Sequence, residues 1–131
     1  MNNMSTIRQK VIIVFDPEFG DRVIELARTA HVWVIDSPKN KLAAEHYMEE
    51  IRKKGSPLDE RGVTLTICYR SKLDSDFLET LEDHHGMYAQ NLPWNEIEVI
   101  GASLDEQTEK LLKNCGFYWF ERTSWGFKAR R

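Results

Sequence analysis

An α/β fold with a mainly parallel sheet is the class that this chain predicts, and three junctions predict it. A short apolar run stops at a capping residue each time: VIIVF (11–15) before Asp16-Pro17, VWVI (32–35) before Asp36-Ser37-Pro38, and IEVIGA (97–102) before Ser103-Leu104-Asp105-Glu106. Such a cap satisfies orphan amides of a first helical turn, and a proline beside it has its φ preset and no amide to lose. Each junction therefore reads as a strand handing over to a helix.

The elements follow in order. Residues 1–10 are polar and are expected to be loosely held. VIIVF is β-branched and has no polar interruption, which suits a strand covered on both faces. Phe19, Val23, Leu26, Ala27 and Ala30 recur at helical spacing and predict a helix over 19–30. HVWVI (31–35) is a second fully apolar strand. After Ser37-Pro38 a helix runs to Lys54, with Ala43, Ala44, Tyr47, Met48 and Ile51 on its inner side and charges opposite. VTLTICY (63–69) alternates in the manner of a half-exposed or edge strand.

Ser71 and Asp74 stand in capping-box spacing ahead of a helix through Phe77, Leu78 and Leu81, and Ser103 and Glu106 do the same for a helix closed by Gly116. The final residues, FYWFE and WGFKAR around Arg122-Thr123-Ser124, predict an antiparallel hairpin. The expected architecture is a single domain over 1–131, a three-layer sandwich in β-α-β-α-β-α-β-α-β order ending in that hairpin. Its first two strands should lie inside, and its third strand and hairpin toward the edges. A ferredoxin-like α+β packing is the alternative.

Composition narrows the function classes. At 131 residues the chain is long enough to fold without metals or disulfides as staples. A net charge of -3 supplies no global field to attract nucleic acid, so binding to DNA or RNA is disfavoured. No apolar stretch approaches the roughly 20 residues needed to cross a bilayer, and MNNMSTIRQK lacks the core of a signal peptide. Cys68 and Cys115 have neither metal-ligand nor disulfide spacing and read as reduced thiols in a cytoplasm.

The chemistry-bearing candidates gather where ligands bind in open parallel sheets, beyond the carboxyl ends of the strands. Asp16, Asp36, Ser37, Asn40, Arg70, Ser71 and Ser103 land there. Asp16 and Asp36 end two strands that would pair, and their carboxylates suit one magnesium or manganese ion, with Arg70 placed to hold an anion. The structural alternative makes Asp16 a helix cap, Asp36 a partner of the helix dipole and Arg70 a solvated strand end.

Two other regions carry contact residues. His84-His85 is followed by Tyr88, Asn91, Trp94 and Glu96, but adjacent histidines diverge on a helix and no H-E-x-x-H is present. The hairpin sets Phe117, Trp119, Phe120, Trp125 and Phe127 beside Arg122, Lys128, Arg130 and Arg131. Such a face either packs on the sheet or, where exposed, meets a protein partner. G-x-G-x-x-G, the P-loop and G-x-S-x-G are all missing.

The expectation is a small non-catalytic α/β module that binds a protein or its own copy, needs no cofactor, and uses Trp94, Trp125 and Arg122 as contacts. The competing expectation is a metal-assisted enzyme acting on a phosphate-containing substrate, with Asp36, Asp16 and Arg70 as catalytic residues.

Overall fold

The strand β1 (Lys10–Val14) carries apolar side chains on both faces because both faces are covered, and the rest of the sheet extends from it. A computed structural model describes residues 10–28, 30–54, 65–69, 72–79 and 95–131. Along the chain, β1 is followed by α1 (Arg22–Ala27), β2 (His31–Ile35), α2 (Pro38–Lys54), β3 (Leu65–Cys68), the short helix α3 (75–79), β4 (Glu96–Ile100), α4 (Glu106–Asn114), β5 (Trp119–Arg122) and β6 (Gly126–Arg130). The six strands form one mixed sheet in the order β3-β2-β1-β4-β6-β5.

The pairings β1–β2, β2–β3 and β1–β4 are parallel, and β4–β6 and β5–β6 are antiparallel. Three parallel pairings are incompatible with the antiparallel sheet of a ferredoxin-like packing, so that alternative falls. The protein is α/β, and none of the described helices is long and apolar enough to cross a membrane.

Side-chain alternation along β1 divides the core in two. Val11 and Ile13, with Phe15 just beyond, join Trp33, Ile97, Val99 and Phe127 beneath Phe77 of α3 and Leu112 of α4. Phe77 is the centre of an aromatic group, edge-on to Phe15 at 6.0 Å and tilted against Trp33 at 5.9 Å. Ile12 and Val14 face the other way and join Val32, Val34 and Ile100 beneath Val23 and Ala27 of α1 and Ala43 and Tyr47 of α2.

On that second face the apolar surface ends at β4. There the paired positions are Glu96 with Arg130 and Glu98 with Lys128. Lys10 reaches both carboxylates, Glu98 at 2.9 Å and Glu96 at 3.4 Å, while Arg130 Nε lies 3.2 Å from Glu96. These charges are paired at the flank of the core, which is the condition for burying Glu96.

Several sequence expectations shift when set against the structure. The helix expected over 19–30 shrinks to α1. Asp16 Oδ1 accepts the Glu18 amide at 2.9 Å, the Phe19 amide bonds back to Asp16 O, and Gly20 has φ +60. That local turn spends the first helical amides before α1 can begin.

The two predicted capping boxes also move. Asp74 caps α3 by accepting the Phe77 amide at 2.9 Å, and Asp105 caps α4 by accepting the Thr108 amide at 2.7 Å. In each case the leucine before the cap is drawn into the core, fully for Leu104 and partly for Leu73, so the chain runs in extended before the helix starts. Met48, expected on the inner side of α2, is exposed.

Gly126 has no room for a side chain. A Cβ there would overlap the Val99 carbonyl oxygen and sit 3.0 Å from the Ala102 oxygen. Gly126→Ala should therefore lower unfolding free energy by about 3 kcal/mol, the upper end for overpacking, as measured by urea denaturation.

Candidate functional site

The carboxyl ends of the parallel strands are built around a buried asparagine. Asn40, on the first turn of α2, is fully buried. Its Nδ2 donates to Asp16 O at 3.0 Å and Ile35 O at 3.1 Å, and its Oδ1 accepts the Gly20 amide at 2.8 Å. One side chain thus ties the loop after β1 to the end of β2. Ser37 completes the junction, capping α2 through the Asn40 amide at 3.1 Å and donating to Pro17 O at 2.7 Å.

Both aspartates stand at this edge. Asp16 closes the turn already described. Asp36 is partly exposed, its amide bonds to Cys68 O, and Lys41 Nζ approaches its carboxylate at 3.5 Å. Among the described residues no group of three or more histidine, cysteine, aspartate or glutamate side chains is placed to hold a metal ion. Arg70, Ser71, Trp94 and the His84-His85 region lie outside the described residues.

The order of the sheet reverses between β1 and β4, and the loops after these strands depart toward opposite faces, α1 on one and α4 on the other. The crevice at that point is closed at its base. Gly101 has φ +89, and a Cβ on it would lie 3.0 Å from the Asp16 nitrogen. Beside it, between α3 and α4, a cleft of about 630 Å³ is floored by Phe15, Val99 and Phe127 and rimmed by Lys72, Ser103 and Gln107.

The β5–β6 turn reaches the same edge. Gly101 donates its amide to Trp125 O at 2.8 Å, and the Arg122 guanidinium donates to Leu104 O at 3.0 Å. Thr123 closes the turn, its amide bonding to Gly126 O and its hydroxyl accepting the Gly126 amide at 3.0 Å. Arg122 thereby holds the hairpin to the loop after β4. Trp125 projects from the turn with 55% of its surface exposed, and the Arg22 guanidinium carbon lies 4.7 Å from the Phe19 ring and 5.7 Å from that of Trp125.

The hairpin aromatics divide between core and surface. Phe117 and Phe127 are buried and Phe120 packs partly against the core. Tyr118 and Trp119 turn outward, 76% and 38% exposed, and the Arg130 guanidinium covers the Trp119 ring at 4.2 Å. Which of these aromatics are core and which stay in water is not legible in the sequence, because it depends on β5 being outermost.

No protein-family model matches this chain, and neither a curated protein nor a solved structure similar to it was found.

Two outcomes follow from this geometry. Asn40→Ala strands a buried amide and two carbonyls, so it should cost about 2 kcal/mol in urea unfolding, and Asn40→Asp, which aims a carboxylate at two carbonyl oxygens, should be no better. Hydrogen bonds from the Thr108 hydroxyl and then its amide hold the Asp105 carboxyl below its ordinary value. A lowered folded-state value adds stability above the ordinary carboxylate pKa of about 4 that is lost as pH falls through the lowered one. The melting-temperature gap between wild type and Asp105→Asn should therefore be present near neutrality and close in acid.

Proposed function

We propose that the chain is a non-catalytic interaction module whose contact surface is the β5–β6 hairpin. One observation carries the reading: Tyr118, Trp119 and Trp125 are each exposed on the outermost hairpin of the sheet. Large aromatics with arginines beside them are the side chains that contribute most to protein–protein contacts, since they bury much area for little conformational entropy. Arg122 and Arg130 supply the arginines, each already anchored to its own chain.

The frame behind this surface supports the same reading. Helices on both faces of the sheet are consistent with a three-layer sandwich in the expected β-α order, a rigid base for an edge hairpin. Cys68 and Cys115 form no disulfide, which fits a reducing compartment such as the cytoplasm. Asp16 and Asp36, the carboxylates of the metal-assisted alternative, are each engaged by a neighbouring group of their own chain.

A photo-crosslinking phenylalanine analogue at position 118 tests the proposal in living cells, with the same analogue at the exposed Tyr69 as control. Protein adducts should form from 118 and not from 69. Equal yields, or none from 118, would overturn the reading. Magnesium or manganese raising the melting temperature of wild type but not of Asp36→Asn would replace it with the metal-assisted enzyme.

A further inference from the structure

We infer that the partner taken by this surface is a second copy of the chain, joined antiparallel through the free edges of the two β5 strands, with Phe120 opposite Phe120. The inference rests on the interaction reading above and names its occupant. Among the described residues β5 has no neighbour on its outer side.

The hydrogen-bonding pattern of the hairpin says which groups face outward. Thr123 bonds to Gly126, and Glu121 and Trp119 lie opposite Lys128 and Arg130 in the same register. Bonded pairs alternate along an antiparallel ladder, so Glu121 and Trp119 spend their amides on β6. Phe120 and Arg122 then turn their amide and carbonyl groups to the open edge. These are unpaired groups that a further strand can satisfy.

Charge decides the register. Residues opposite one another in an antiparallel pair must share a sheet face, which restricts a symmetric pairing to registers centred on a residue. Centring on Glu121 sets two carboxylates face to face, and centring on Arg122 does the same with two guanidinium groups; like charges directly opposite are destabilising. Centring on Phe120 avoids both and pairs Trp119, Phe120 and Glu121 with the same three residues of the second copy.

In that register Trp119 meets Glu121 of the second copy. The Trp119 ring already carries the Arg130 guanidinium, so the incoming carboxylate approaches a cation across the indole. The dyad repeats every contact, as a two-fold interface requires. A four-residue strand buries little area, so the association is a weak one.

Sedimentation velocity across a concentration series reaching several hundred micromolar reads the outcome. Wild type should pass from monomer to dimer, and Glu121→Arg, which brings a second cation to Trp119 beside Arg130, should raise the dissociation constant about tenfold or more. Amide exchange followed by nuclear magnetic resonance gives a readout independent of any variant: the Phe120 and Arg122 amides should slow as concentration rises, while that of Glu121, bonded within the hairpin, should not. A monomer at every concentration, a dimer indifferent to Glu121→Arg, or a Phe120 amide that exchanges equally fast in the dimer would overturn the inference. Adducts from position 118 to a different protein, with the purified chain monomeric, would overturn the second copy while leaving the interaction reading in place.

Discussion

Where a Cβ would stand on residue 126, the carbonyl oxygen of Val99 is already present. That absent side chain lets β6 close against the end of β4, and much of the rest depends on the fit. The hydrogen bond from Gly101 to Trp125 O continues the β4–β6 ladder one step beyond the last paired residues, carrying the turn onto the carboxyl edge of the sheet. Gly101, with its own positive φ, folds back against the end of β1. Two glycines therefore weld β1, β4 and the hairpin into one edge, and the placement of Trp125 beside Arg22 is a consequence of that weld.

Much of this frame was legible in the sequence, because periodicity and burial say the same thing where a residue's neighbours are close in the chain. The apolar runs at β1 and β2, the cap at Ser37 and the edge position of β3 all appear as the residue pattern implies. Helix starts were less legible. Ser71, Asp74, Ser103 and Asp105 are equally competent caps by residue type, and the choice falls to whichever position lets the neighbouring leucine enter the core.

The site was legible only by position. Asp16, Asp36, Ser37 and Asn40 do gather at the ends of adjacent parallel strands. Which of them would be the buried keystone could not be read, since Asn40 earns that role from a carbonyl twenty-four residues earlier in the chain. Likewise, nothing local distinguishes Trp119 from Phe120. Their fates separate because one faces the charged half of the sheet and the other the α4 side, a distinction that exists only once β6 has paired with β4.

The position of β6 bears on synthesis as well. It lies between β4 and β5 in the sheet but is translated after both. From the moment β4 joins β1 until β6 arrives, the outer side of β4 is an open strand edge. Glu96 and Glu98 lie on that strand during the interval, before Arg130 reaches Glu96. Two carboxylates on an unfinished edge discourage a neighbouring nascent chain from adding a strand there. The ionic row that looks like an interruption of the core in the finished protein is thus also a guard for the half-made one.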